Sequence, residues 1–179
     1  PIMNKKINCL TKSQVELTLN HIDYLIDNNF VQRNPEGQHT FDDTYQMYAD
    51  PPIENILHYI KPKIEEAYGK ELVPTYSFWR RYSKGQDCPP HKDRPSCEIS
   101  ITLNLGGEGG NNWAIYVEDQ KFELEVGEAV LYKGCDQEHW RHELDYKHHT
   151  QLFLHFIEKN GKHYPQFNYD GRPHLYYTK

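Results

Sequence analysis

The sequence predicts an α+β protein, with helices first and then a run of short antiparallel strands. The strands would form a sandwich or barrel with the helices packed on one side. Three observations predict this. Apolar residues recur at helical spacing through roughly the first 70 positions. From Leu72 the period becomes two. Gly and Asn clusters then divide the chain into short runs. The 179 residues fit one domain at roughly 150 per domain, with 1–70 a helical buttress, 71–158 a β-core and 159–179 a C-terminal extension.

The first helix opens at Thr11-Lys12-Ser13-Gln14-Val15-Glu16, which holds a Ser-x-x-Glu capping box. Val15, Leu19, Ile22, Leu25 and Ile26 follow on one face, and Asn28-Asn29 stops it. Gln32–Tyr48 is polar and reads as irregular. Asp50 as N-cap, with Pro51 and Pro52 in the first turn, starts a second helix. Its stripe is Ile53, Ile56, Leu57, Ile60, Ile64 and Ala67; Gly69 closes it and Pro62 predicts a kink. Strands are expected at Val73–Ser83, Glu98–Leu105, Trp113–Val117, Lys121–Val126, Ala129–Lys133 and Thr150–Ile157. Asn160–Lys179 has no clear period and reads as a surface extension folded back on the body.

Composition narrows the function. Apolar residues are only 37 %, but aromatics reach 13 % with 14 Tyr, and Tyr buries area while keeping a polar tip. A packed domain is therefore expected rather than a disordered chain. The formal charge of −6 argues against a non-specific nucleic-acid binder, which needs basic surface to neutralise phosphates. No apolar run approaches 18 residues, so no membrane span is expected, and Pro1–Lys6 does not read as a secretory signal. Cys9, Cys88, Cys97 and Cys135 are too sparse for a disulfide framework and read as reduced, cytoplasmic thiols.

The chemistry concentrates at His91-Lys92-Asp93. Residues two apart on an extended segment share a face, so an imidazole and a carboxylate stand side by side. His139 lies 46 residues on, after a strand that ends in the turn Tyr132-Lys133-Gly134. Two His and one carboxylate leave three positions open on a metal, the facial triad of non-haem Fe(II) oxygenases. The neighbouring strands fit a wet interior. Ile99, Ile101 and Leu103 alternate with Ser100, Thr102 and Asn104. Tyr76, Phe78, Arg80 and Tyr82 share a face, as do Gln151, Phe153 and His155. Polar or aromatic rows on three strands suit the lining of a ligand-holding barrel.

With these residues in view, the sequence resembles the 2-oxoglutarate/Fe(II)-dependent dioxygenases, specifically the compact prolyl-4-hydroxylase-like branch. The resemblance runs from Arg80-Arg81-Tyr82 through His91-Lys92-Asp93, Ile99–Asn104, Phe122–Val126, Gly127–Tyr132 and His139-Trp140-Arg141 to Gln151–Glu158. It spans about 80 of the 179 residues. It implies a double-stranded β-helix, a jelly-roll or cupin-like core, with the N-terminal helices packed on one sheet. It implies Fe(II) held by His91, Asp93 and His139, with 2-oxoglutarate and O₂ as co-substrates and ascorbate as an activator. The carboxylate at Asp93 favours hydroxylation over halogenation. The substrate would be a peptide residue, prolyl among the possibilities, or a small amino-acid-like molecule, with succinate and CO₂ released.

The far carboxylate of 2-oxoglutarate needs a cation. The family usually places Arg or Lys at the start of the last strand, about ten residues beyond the distal His. Here that window reads Lys147-His148-His149-Thr150-Gln151, with no Arg. Arg141 ranks first as substitute, then Lys147, then Arg80. Tyr82 stands where the resemblance suggests a co-substrate hydrogen bond, and Thr102 and Asn104 are lining candidates. Trp79 and Arg81 are out of phase and expected outside the site. Gln32–Tyr48 and the Gly-rich Gly106–Asn112 are long enough to act as lids, and the first is expected to contact substrate. Two rival readings stay open: a structural zinc domain on Cys88, His91, Cys97 and Cys135, and a cupin-type module without 2-oxoglutarate turnover. Oligomeric state is also open. Because ligating His must be neutral, metal affinity is expected to fall as pH drops below about 6.5.

Overall fold

Two antiparallel sheets face each other and two helices cover the outer face of the larger one. The computed structural model describes residues 4–31 and 44–177. Its strands are β1 (Lys5–Asn8), β2 (Tyr45–Tyr48), β3 (Leu72–Ser83), β4 (Cys88–His91), β5 (Ile99–Glu108), β6 (Ile115–Val117), β7 (Gln120–Phe122), β8 (Glu128–Tyr132), β9 (His139–Arg141) and β10 (His148–Glu158). The helices are α1 (Lys12–Asp27) and α2 (Pro51–Tyr68). The large sheet runs β1-β8-β5-β10-β3-β2 and the small one β4-β9-β6-β7. This is the α+β jelly-roll arrangement expected from the sequence.

Local chemistry accounts for the helix ends, with corrections. α1 begins at Lys12, so Thr11 rather than Ser13 takes the cap. Its hydroxyl accepts the Gln14 amide at 3.3 Å and the Gln14 side chain accepts the Thr11 amide at 2.9 Å. Asp50 precedes α2 but makes no cap hydrogen bond. Its carboxylate is drawn inward, to His21 Nε2 at 2.7 Å and Trp79 Nε1 at 3.0 Å. α2 continues through Pro62, which sits on the solvent side, where the His58 carbonyl that loses its partner meets water. It ends at Gly69 in the left-handed conformation.

The main core lies between the helices and the large sheet. Val15 and Ile22 of α1 and Ile53, Leu57, Ile60 and Ile64 of α2 pack on Trp79, Ile99, Ile101, Leu103, Leu152, Leu154 and Phe156. Truncating one of these leucines or isoleucines to Ala would cost about 2–5 kcal/mol. A second apolar cluster, Ile115, Val117, Leu124, Val130 and Tyr132, joins the two sheets. The alternation on β5 thus sends its apolar row to the helices and its polar row between the sheets.

β3, β5, β8 and β10 fall where the period-two runs placed them, with ends shifted by at most three residues. β6 and β7 are shorter than expected, since Trp113 and Glu123–Val126 lie outside the strands. β1, β2, β4 and β9 carry no legible period because each has only three or four residues. β2 corrects the irregular reading of Gln32–Tyr48: Tyr45–Tyr48 pairs with Phe78–Arg81 at the sheet edge. The proposed lid at 32–43 lies outside the described residues.

The C-terminal segment is tied to the body by buried charge. Arg172 Nη1 meets Glu54 Oε1 at 2.7 Å, and Arg172 Nη2 donates to the Thr75 carbonyl. Glu54 Oε2 accepts from the Ser77 amide and hydroxyl. No helix among the described residues is long and apolar enough to cross a membrane.

Candidate metal centre

β4 and β9 are adjacent in the small sheet, and their register sets His91 directly opposite His139. The ring centroids are 4.3 Å apart. Asp93 follows just past the end of β4. Its amide donates to the Gly134 carbonyl at 2.8 Å, which turns the carboxylate toward both rings. Asp93 Oδ1 lies 3.3 Å from His91 Nε2, and Oδ2 lies 3.2 Å from His139 Nε2. One ligand atom from each of the three residues falls within 4.8 Å of the others. Among the described residues no other group of three or more His, Cys, Asp or Glu does so. The Cys88, His91, Cys97 and Cys135 set therefore forms no metal cluster.

The ring orientations suit a metal. His91 Nδ1 lies 2.8 Å from the Pro89 carbonyl and His139 Nδ1 lies 2.9 Å from the Gln137 carbonyl. A carbonyl only accepts, so each Nδ1 carries a proton and each Nε2 is left to face Asp93. Such backbone bonds fix tautomer and orientation for ligation. Burial works to raise the Asp93 pKa, but hydrogen bonds with His139 and His91 outweigh it and hold the carboxyl well below its usual range. Asp93 in turn holds the His91 ring up, to about 10.

The triad opens on a cavity of about 380 Å³ between the sheets. Tyr76, Phe78, Arg80 and Tyr82 of β3 line it, with Phe153 and His155 of β10, Tyr132 and Arg141. Arg141 is fully buried. Its Nη1 donates to the Trp113 carbonyl at 2.5 Å and the guanidinium lies over the Trp113 ring at 4.9 Å. Its Nη2 is sealed from water and has no hydrogen-bond partner among the described residues. Gln151 Oε1 is likewise sealed and unpaired. A buried cation without a counter-ion is costly, which marks this end of the cavity as a place for an anion.

No protein-family model matches the sequence, and no curated protein sequence matches it. Solved structures do match. A 2OG-Fe(II) oxygenase family oxidoreductase from Burkholderia pseudomallei is 19 % identical with TM-score 0.59, over 80 % of each chain. A prolyl-4-hydroxylase from Pseudomonas putida is 15 % identical with TM-score 0.64, over 87 % of this chain and 92 % of that one. A prolyl hydroxylase from Trichoplax adhaerens, solved with a hypoxia inducible factor oxygen degradation domain peptide, is 11 % identical with TM-score 0.66, over 88 % and 84 %. The chain has the fold of the 2-oxoglutarate/Fe(II) oxygenases.

Within this oxygenase fold the sequence-derived candidates separate. Arg80, Tyr82 and Arg141 line the cavity with the triad. Arg80 lies over the Phe78 and Tyr82 rings and donates twice to Gln46 Oε1. Burial pushes the Tyr82 and Tyr132 phenols up, so both stay protonated. Thr102 stands behind the lining: its hydroxyl bonds Tyr132 at 3.0 Å, and the Tyr132 ring rests on His139. Asn104 is a turn anchor outside the cavity, donating to the Asn111 and Leu124 carbonyls and accepting from the Gly106 amide. Lys147 also lies outside. It reaches Glu108 at 2.7 Å beside a separate groove of about 1060 Å³ along α1. Trp79 and Arg81 point to the helix side, as their phase predicts.

Four residues near the site have roles that the sequence pattern does not assign. Trp113 shelters Arg141, and Gly134 packs on Asp93. His149, ten residues past His139, takes the last-strand position. Its Nδ1 lies 2.6 Å from Tyr146 Oη and its Nε2 lies 2.7 Å from Gln151 Nε2. Burial, then the Arg141 charge, depress its pKa, so it is a neutral ring rather than a cation. His155 shares its strand face with Gln151 and Phe153, as the phase of β10 predicts. Its ring packs on Tyr76 at 4.6 Å and bonds Ser100.

Proposed function

We propose that this protein is a non-haem Fe(II)- and 2-oxoglutarate-dependent hydroxylase. One observation carries the reading: a His-Asp-His triad and a buried, uncompensated arginine share one cavity. The donor set fits Fe(II), since two neutral imidazole Nε2 atoms and one carboxylate make a facial triad with positions to spare. Arg141, which lines the cavity and whose Nη2 has no protein acceptor among the described residues, fits the far carboxylate of 2-oxoglutarate. Arg141 thus takes the part of the missing last-strand cation, while Lys147, turned to Glu108, does not.

His91, Asp93 and His139 would hold the metal, and Arg141 would orient the co-substrate against it. Fe(II) with 2-oxoglutarate and O₂ supplies the oxidising chemistry: substrate C–H becomes C–OH while 2-oxoglutarate becomes succinate and CO₂. Tyr82 and Tyr132 stay neutral and wall the site from water. Thr102 keeps Tyr132 on His139. Tyr76, Phe78 and Phe153 offer an aromatic wall to the substrate.

The substrate class we infer is a peptide residue or a small amino-acid-like molecule. The prolyl-4-hydroxylase and the peptide-bound prolyl hydroxylase among the similar structures support the peptide form. Four free thiols support a reducing, cytoplasmic setting, and we propose that the chain works as one catalytic domain.

The test is an anaerobic titration with Fe(II) followed by 2-oxoglutarate. A weak visible charge-transfer band is expected in wild type and absent from Asp93→Ala and His139→Ala. Metal binding with no band would overturn the oxygenase reading and leave a cupin-type metal module.

A further inference from the structure

The cavity makes opposite demands at its two ends. At the Arg141 end a donor lacks an acceptor. At the other end stands His155, six residues after His149 on the same face of β10. There the arginine is already satisfied. Arg94 binds Asp170 through both Nη1 at 2.5 Å and Nη2 at 2.9 Å, and its guanidinium lies over the Tyr76 ring at 4.5 Å. Ser96 and Tyr48 hydroxyls also donate to Asp170. No anion is called for at this end.

What is unmet there is an acceptor, and the hydrogen count identifies it. Ser100 Oγ lies 3.0 Å from the Cys97 carbonyl and 2.9 Å from His155 Nδ1. A hydroxyl has one proton, and the carbonyl can only accept. Both bonds exist together only if Ser100 donates to Cys97 and His155 Nδ1–H donates to Ser100. Nε2 of the neutral ring is then a bare lone pair. It has no protein partner among the described residues, and it is not among the sealed unpaired atoms, so it meets the cavity that the ring lines. Tyr76 packs against the ring at 4.6 Å, tilted by 39°. Ser100 also sits close to the metal ligands: a Cβ at Gly134 would stand 2.4 Å from Ser100 Oγ and 2.9 Å from Asp93 Oδ2.

We propose that His155 is a specificity-determining hydrogen-bond acceptor, selecting a substrate that presents an N–H or O–H donor to the Tyr76 side of the metal cavity. An amide or hydroxyl fits this position; a bare hydrocarbon or ether leaves Nε2 desolvated and unpaired. The proposal rests on the oxygenase reading only in naming the ligand a substrate.

The test is made on ¹⁵N-labelled protein loaded with diamagnetic Zn(II). Two-bond ¹H–¹⁵N correlation reads the imidazole tautomers, and His155→Phe identifies the His155 signals by their loss. A protonated Nδ1 and a pyridine-type Nε2 are expected at neutral pH. Benzamide, a flat ring with two N–H donors, is then titrated against N,N-dimethylbenzamide, which has none. Benzamide should move the Nε2 resonance and bind about fivefold more tightly. His155→Phe should abolish that preference, and His155→Gln, whose amide oxygen reaches the Nε2 position, should restore it. A protonated Nε2, or equal response to the two amides, including none, overturns the proposal; if His155→Phe fails to fold, His155→Gln identifies the His155 signals by the same loss. Loss of the Fe(II)–2-oxoglutarate band would instead remove the oxygenase reading while leaving the tautomer and the amide preference intact.

Discussion

Gly134 abuts Asp93 so closely that a Cβ at position 134 would stand 2.9 Å from Oδ2 of the carboxylate. The same Cβ would meet Ser100 Oγ at 2.4 Å and the Cys97 carbonyl at 2.5 Å. The Cys97 carbonyl is backbone in a buried turn, so Asp93 or the Gly134 backbone must move. Gly134→Ala is therefore expected to weaken divalent metal binding about 10- to 100-fold, the usual effect of disturbing a ligand's support. Calorimetric titration with Ni(II) checks it. Wild-type affinity in a folded variant would refute this account of Asp93 placement.

Proton competition at His91 sets a pH dependence. Asp93 raises the folded pKa to about 10, above the ordinary value of about 6.5. In metal-free protein this contribution to stability is fully present below about pH 6.5 and is lost as pH rises through about 10. Metal must displace that proton, so affinity should climb from pH 7 to about 10 rather than level off above 6.5. Zn(II) competition with a chelator across that range measures it. A plateau from pH 7 would contradict the Asp93–His91 coupling.

Arg141→Met removes the buried charge at the end of the cavity. The dissociation constant for 2-oxoglutarate on Ni(II)-loaded protein should rise about 10- to 100-fold, as expected for a charge-assisted hydrogen bond. Metal affinity should change little, because Arg141 is not among the ligating atoms. Lys147→Ala, which breaks only an exposed pair with Glu108, should leave the co-substrate constant unchanged. The reverse pattern would move the co-substrate contact to Lys147.

Glu54→Gln leaves Arg172 buried without its counter-charge. A loss of about 3–5 kcal/mol in urea unfolding is expected. Glu54→Leu combined with Arg172→Met should recover much of it, since an apolar pair needs no desolvation. Equal loss in the single and double variants would show that packing rather than charge fastens the C-terminal segment.

Much of the fold was legible because long elements repeat their pattern. Ile53, Leu57, Ile60 and Ile64 disclose α2 through spacing alone, and the alternation of Ile99–Asn104 discloses both faces of β5. β4 and β9 escaped because three or four residues carry no period, yet their pairing sets His91 against His139. Gln14 rather than Glu16 completes the cap because the residue that starts the helix decides the box, and that is settled by where Leu10 meets the Gly127 carbonyl.

What the sequence determined by itself was the kind of residues available: His91, Asp93 and His139 as ligand types at spacings that suit one face, and strands whose alternate rows differ in polarity. Phase placed Arg80 and Tyr82 on one side and Trp79 and Arg81 on the other. Phase says nothing about partners, so Thr102 and Asn104 looked alike although one supports Tyr132 and the other anchors a turn. Only the tertiary structure decided which cation is buried without a counter-ion, because Arg141, Lys147 and Arg80 differ in surroundings rather than in type. It likewise decided the protonated nitrogen of His155, which depends on a hydroxyl 55 residues away. Charge state, burial and hydrogen-bond satisfaction belong to groups brought together by register across separate strands, and no local stretch of sequence contains them.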